Sequence, residues 1–250
     1  MSYDNLPRMY RDLAPWFHLI TAPADYKEEA AFYSRVLIEH CRRRPRHVLE
    51  LGSGGGNNAS HMKKRFEMTL VDLSPGMLRL SKTINPELEH RQGDMRTVRL
   101  GCEFDAVFIH DAIMYMTTED DLRQSIETAY AHTKPGGCAL FVPDCTRETF
   151  REKTRQGGHD DRASRRSVRF VEWTWDPDLA DTTYNVEFAY LLRDARGRIR
   201  ALRDRHTFGV FPKRTWLRLI RGAGFEAFAV PFVHSEVPPG YTVFVGKKRP

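Results

Sequence analysis

At 250 residues, 41% hydrophobic and 29% charged, the chain has the size and composition of a globular protein with a sizeable core, which excludes a disordered or fibrous class. Nowhere do about 18 apolar residues follow one another as a membrane span requires, so a cytoplasmic location is expected, and the four cysteines (41, 102, 138, 145) form no Cys-x-x-Cys pair that would suggest a disulfide framework or a zinc site. The net charge of +6 is concentrated: residues 147–214 hold 16 Lys/Arg against 11 Asp/Glu, whereas the rest is almost balanced.

In chain order, residues 26–44 place Ala30, Tyr33, Val36, Leu37 and Cys41 at helical spacing, with acids early and Arg42, Arg43 and Arg44 late, and Pro45 ends the pattern. The apolar run RHVLEL (46–51) meets a cluster of glycines, and residues 57–65 read as the helix that follows. MTLVDL (68–73) reads as a second strand, 75–84 as a helix and 88–90 as a short third strand. FDAVFIH (104–110), a helix over 118–132, the turn KPGG (134–137) and CALFVP (138–143) continue the alternation, which argues for a parallel sheet covered by helices on both faces. From 168 to 211 the aromatic and β-branched runs VRFVEWTW, TTYNVEFAYLL and IRALRDRHTFGVF read as an antiparallel meander. Residues 213–225 restore a helix, and EAFAVPFVH and YTVFVGKK supply two more strands.

Glycines between a first strand and its helix let backbone amides approach a ligand at the helix N-terminus. Counted from Gly52, the sixth position is Asn57, so the G-x-G-x-x-G spacing of dinucleotide sites fails, and Gly52, Gly54 and Gly56 make G-x-G-x-G instead. Glu50, two residues ahead, would repel a pyrophosphate and favour a positively charged ligand. S-adenosylmethionine carries a sulfonium and an ammonium and no phosphate. Asp72, 20 residues beyond Gly52 at the end of the second strand, is placed to accept ribose hydroxyls. QGDM (92–95) offers Gly93, Asp94 and Met95 to an adenine at the end of the third.

The succession LELGSGGG, LVDLSPGML, QGDM, FDAVFIHDAIMYM and KPGG, over residues 46–143, resembles that of class I S-adenosylmethionine-dependent methyltransferases. That resemblance implies that Glu50, Gly52, Ser53, Gly54 and Gly56 surround the methionine part of the cofactor. Asp72 would hold the ribose, bordered by Leu73 and Met77, and Asp94 and Met95 the adenine. A narrower similarity, to bacterial aminosugar N,N-dimethyltransferases of macrolide biosynthesis, rests on Tyr10, ADYKEEA (24–30), TTEDDL (117–122), ETF (148–150), the antiparallel insertion and FVG (244–246). It implies that Tyr10 and Tyr26 close over the cofactor. The chain departs from that group in His110 and Asp111, where small or hydroxyl residues are expected, and in its RQGGHDDRASRR stretch.

Methyl transfer needs chiefly an aligned nucleophile and exclusion of water, with a base to take a proton from an amine or hydroxyl acceptor. His110, Asp111 and Tyr115 follow the fourth strand, where reacting groups collect in open α/β sheets, and they do not make a metal site. His110 is the preferred base, because imidazole titrates near neutrality. It also stands where it would border the cofactor, and Asp111 where it would cap a helical turn. Trp173 and Trp175 alternate with Val171, as either an acceptor wall or a packed sheet face requires. The arginine run 147–169 reads as a solvated loop or as a seat for an anionic acceptor.

The expected fold is therefore α/β: a doubly wound, mostly parallel, seven-stranded Rossmann-like sheet with N-terminal capping helices (1–44), a cofactor-binding half (46–143), an antiparallel β insertion (144–211) and a C-terminal helix with strands (212–250). The expected activity is methyl transfer to a small-molecule amine or hydroxyl, with S-adenosyl-L-methionine as cofactor. An RNA methyltransferase using the basic insertion and a non-catalytic cofactor-binding module are the alternatives. Nucleic acid and membrane are disfavoured as partners, and a homodimer is left open.

Overall fold

The structure, a computed structural model, describes residues 6–250. The apolar run after Pro45 forms β1 (His47–Leu51), buried from Val48 onward, and it pairs in parallel with β2 (Glu67–Asp72) on one side. β3 (Glu89–Gln92) continues beyond β2, while β4 (Phe104–Ile109) and then β5 (Thr133–Phe141) extend the sheet on the other side, all in parallel. Helices α2 (Lys27–His40) and α3 (Asn57–Met62) cover one face; α4 (Pro75–Ile84) follows β2, and α5 (Glu119–His132) covers the opposite face. Local chemistry sets the helix starts. Ser74 accepts the Met77 amide with Pro75 at the first helical position, and Thr118 accepts the Asp121 amide ahead of three acids in the first turn.

After β5 the chain leaves the sheet and builds a second one from β6 (Lys153–Gly157), β7 (Asp160–Asp161), β8 (Arg166–Trp175), β9 (Thr183–Arg193) and β10 (Ile199–Gly209), paired antiparallel. Helix α6 (Lys213–Gly222), β11 (Glu226–Pro231) and β12 (Thr242–Lys247) then complete the first sheet in the order β11-β12-β5-β4-β1-β2-β3. The expected α/β architecture with an antiparallel insertion is what the chain adopts.

Two expectations are corrected. KPGG is not a turn before the fifth strand but part of it: β4 pairs Phe104 with Thr133 and then Ala106 with Cys138, so the extra residues bulge, with Gly136 at φ +78°. The arginine run is not merely a solvated loop. β6 and β7 lie within it, because Arg155 meets Glu172 across the β6–β8 pair and Arg169 meets Asp160 across β7–β8.

A short N-terminal segment joins the two sheets. Met9, Leu13 and Ala14 pack on Met77 from one side and on Val168, Tyr190 and Leu192 from the other. This segment, with α1 (Phe17–Ile20), roofs the carboxyl ends of β1, β2 and β4. Among the described residues, no helix is long and apolar enough to cross a membrane.

Candidate active site

Because β1 and β2 run in parallel with Leu51 opposite Val71, their carboxyl ends open at one edge of the sheet. The turn after β1 is tied down by the Gly52 and Ser53 amides, both donating to the Val71 carbonyl (2.8 and 3.0 Å). Gly52 has φ +75°, and a Cβ there would lie 2.4 Å from Ala112 Cβ and 2.7 Å from Met95 Cε, so only glycine lets the three loops meet. The turn is also tied to the end of β2: Gly54 N–H donates to Asp72 Oδ2 (2.7 Å), while the Ser74 N–H that follows β2 donates to Asp72 Oδ1 (2.8 Å).

A crevice lies over this edge. Tyr10, Tyr26, Glu50, Gly52, Ser53, Gly54, Asp72, Leu73, Gly93, Asp94, Met95, His110, Asp111 and Tyr115 all line it. Gly56 and Met77 do not. Gly56 serves the fold: its φ of +76° starts α3, and a Cβ would meet Ser81 Oγ at 2.2 Å and Asn85 Nδ2 at 2.4 Å. Met77 lies in the apolar cluster beneath the N-terminal segment. The crevice also takes in Leu6, Phe17, Gly55, Asn57, Asn58, Arg96, Ala112 and Met116. Of these, Gly55 and Asn57 stand inside a motif already singled out, and Arg96 follows QGDM directly; Phe17 and Leu6 have no local signal. Trp173 and Trp175 are absent from the crevice. Their rings lie 4.7 Å apart, tilted by 31°, on the outer face of the second sheet, where Trp173 is 55% and Val171 47% exposed.

The carboxyls define what the crevice accepts. Glu50 is buried, its Oε2 has no partner among the described residues, and burial, with the charges of Asp111, Asp72 and Glu29 outweighing His110, pushes it up to about 8. Ser53 Oγ is likewise unpartnered. Burial also raises Asp72 to about 6 against its two amide donors, and each of its oxygens keeps a lone pair for a further donor such as a ribose hydroxyl. A positively charged ligand carrying hydroxyl donors would relieve both groups. A diphosphate would meet a buried carboxyl at the same turn. Asp94 is gripped by Arg96 (2.6 Å), which reaches on to Asp121 (2.6 Å), so the third-strand loop is braced by its own ion pairs.

His110 sits at the other end, with Nε2 3.2 Å from Tyr33 OH and 3.4 Å from Glu29 Oε1, and Nδ1 3.4 Å from Asp111 Oδ1. Burial alone would lower its titration, but Glu29, Asp111 and Asp144 outweigh that and raise it to about 10. At neutral pH the ring is therefore a cation and a donor, not the neutral imidazole that its ordinary titration suggests. Asp144, also facing this cluster, is raised to about 6 by burial and by Asp111, with Lys153 and Arg155 acting against the rise. Most of the arginines from the basic segment are engaged: Arg147 with Asp176, Arg155 with Glu172, Arg169 with Asp160, and Arg166 over the Trp16 ring at 3.8 Å.

Comparison with known proteins agrees with this geometry. Residues 48–137 match the family described as a methyltransferase domain. The chain is 26% identical over 201 residues, 80% of its length and 81% of the relative's, to the dTDP-3-amino-3,4,6-trideoxy-alpha-D-glucopyranose N,N-dimethyltransferase of Streptomyces venezuelae. Among solved structures, DesVI of Streptomyces venezuelae aligns with a TM-score of 0.81 at 23% identity, over 95% of this chain and 97% of that one. The sugar N-methyltransferase KedS8 of Streptoalloteichus sp ATCC 53650 aligns with a TM-score of 0.80 at 24% identity, over 100% and 96%. At such identities the structural likeness speaks for the fold.

Proposed function

We propose that this chain, an S-adenosylmethionine-dependent methyltransferase, transfers the methyl group to the amine of a small sugar acceptor. When bound, the cofactor supplies an electrophilic methyl on a positively charged sulfur. Glu50 and the Gly52–Gly54 turn would hold its methionine end, Asp72 the ribose, and the Asp94–Met95 loop the adenine. Tyr10, Tyr26 and Phe17 would exclude water from above.

The observation that carries the amine is the excess of carboxyls around one cation: Glu29, Asp111 and Asp144 converge on His110. An ammonium arriving at this end meets carboxylate acceptors, with the charged His110 ring set among them, and a neutral hydroxyl would gain much less from the same field. Lys153, close enough to Asp144 to act on its titration, would meet an anionic portion such as a nucleotide diphosphate. The venezuelae relative's name specifies such an acceptor, an amine on a dTDP-linked sugar.

The test is a panel of dTDP-linked 3-amino sugars, the matching 3-hydroxy sugars and a tRNA, each incubated with labelled S-adenosylmethionine and weighed. Gains of one or two methyl groups on the amino sugars alone are expected. Methylation of the hydroxy sugars or the tRNA instead would contradict the proposal.

A pH dependence follows for the cofactor. In the free protein Glu50 holds a proton up to about pH 8 and Asp72 up to about pH 6, yet a cation is bound by the carboxylates, so binding must release protons. Affinity is expected to rise as pH climbs from 6 to 9, by up to about tenfold per pH unit for each proton released. Titrations of Glu50→Gln should show weaker binding that is flat above pH 7. A slope unchanged in that variant would remove Glu50 from the cofactor's charge balance.

A further inference from the structure

We propose that Asp204, His206 and Tyr115 form a relay that takes the proton from the acceptor amine and holds it in the second sheet. Tyr115 is the catalytic member, and Asp204 and His206 are positioning residues behind it. This rests on the methyl-transfer reading of the crevice, in which Tyr115 is a lining residue.

The geometry is continuous from the core to the cavity. Asp204 and His206 lie two residues apart on β10, so both point to the inner face of the second sheet, and both are buried. Asp204 Oδ1 accepts the Arg8 amide (3.0 Å) and Oδ2 accepts the Met9 amide (2.8 Å). His206 Nε2 is 3.2 Å from the same Oδ2, and its Nδ1 is 2.6 Å from Tyr115 OH. The ring is walled by Phe188 (5.1 Å between centroids), Phe208 (5.7 Å) and Tyr10 (5.9 Å), so water has little access to it.

These contacts give the relay a direction. Both Asp204 oxygens already accept N–H groups, so at Nε2 it is the ring that donates. With the proton on Nε2, Nδ1 of the neutral ring carries a bare lone pair. Tyr115 then donates its O–H to Nδ1, which leaves one lone pair for the Tyr10 hydroxyl beside it and one for the crevice. An N–H of the acceptor can break toward the Tyr115 oxygen while the tyrosine proton passes to Nδ1. His206 becomes an imidazolium beside the Asp204 carboxylate, and Tyr115 stays neutral throughout. After product leaves, the reverse transfer returns the proton through Tyr115 to water in the open crevice. His110, already protonated, is spared the role of base. The arrangement also explains why Asp204 ties down the Arg8–Met9 backbone: the segment that carries Tyr10 is clamped to the relay it covers.

Two experiments test the relay. In two-bond proton–nitrogen NMR spectra of the free protein, His206 should appear as the Nε2–H tautomer with a bare Nδ1, a result independent of any acceptor. A proton on Nδ1 of the neutral ring would overturn the proposal. Kinetics with the amine that gains methyl in the mass test supply the second. His206→Asn leaves an oxygen near Nδ1 that can orient Tyr115 but cannot take its proton. It should bind S-adenosylmethionine as wild type does, with KM for the amine little changed, while kcat falls about 100-fold or more. Tyr115→Phe, which leaves Asp204 and His206 paired, should lose a similar factor, and the double variant no more than either alone. A His206→Asn enzyme with wild-type kcat, or losses that multiply in the double variant, would show that these residues only pack the lid.

Discussion

Alanine at position 72 is expected to weaken S-adenosylmethionine and its demethylated product together, by about 100-fold or more. The carboxylate does two jobs at the meeting of β1 and β2. It receives the Gly54 and Ser74 amides, which sets the course of the glycine turn, and it keeps lone pairs for the sugar of the ligand. Hydrogen bonds to a charged acceptor contribute about 1.5–3 kcal/mol each, and loss of two on the ligand's side gives a factor of that size. Asp72→Asn separates the jobs. Its single oxygen can serve one amide while its NH₂ opposes the other, so a thermal unfolding curve should show a deficit even without ligand. Equal affinities of wild type and Asp72→Ala in calorimetry would remove the ribose role.

The largest effect on stability is expected away from the crevice, from Arg147→Met. Arg147 Nη1 bonds Asp176 Oδ2 at 2.5 Å, its other terminal nitrogen bonds the Asp181 carbonyl, and the Asp176 side chain is 0% exposed. The pair closes the base of the second sheet, joining the segment after β5 to the end of β8. Removing one member strands a buried charge, at a cost of about 3–5 kcal/mol. In a chain of this size the midpoint of thermal unfolding should fall by roughly 10 °C. The double variant Arg147→Met/Asp176→Leu should recover most of the loss, since no charge is left unpaired. A single variant that melts within a degree or so of wild type would show that the carboxyl finds water or another partner.

How much of this is legible in the sequence depends on how far apart the partners are. The glycine turn, Glu50, Asp72 and the helix over 75–84 are read from short-range chemistry, because strand, turn and helix residues are contiguous. Spacing alone cannot tell a glycine that faces a ligand from one that makes room for protein. Gly54 lines the crevice, whereas Gly56, two positions on, is demanded by Ser81 on α4 and Asn85 just past its end. Met77 fails for a related reason, since it stands in the same motif as Leu73 but on the side of α4 that meets Met9 and Leu13. The arginine run looks solvated because acids are interleaved with it, yet one of those acids, Asp160, and Glu172 just beyond the run become its cross-strand partners. His206 and Asp204 leave no local trace at all. Their partners, Tyr115 and the Arg8–Met9 backbone, are 91 and nearly 200 residues away, and only the folded second sheet brings them together.

The claim on which the rest depends is that the turn after β1 receives a cationic, phosphate-free nucleoside. Isothermal calorimetry of the wild-type protein with S-adenosylmethionine, followed by displacement with NAD, puts it to the most direct test. Saturable binding of S-adenosylmethionine that excess NAD leaves untouched is the expected result. Displacement by NAD, or no heat of binding for S-adenosylmethionine at any pH between 6 and 9, would contradict it.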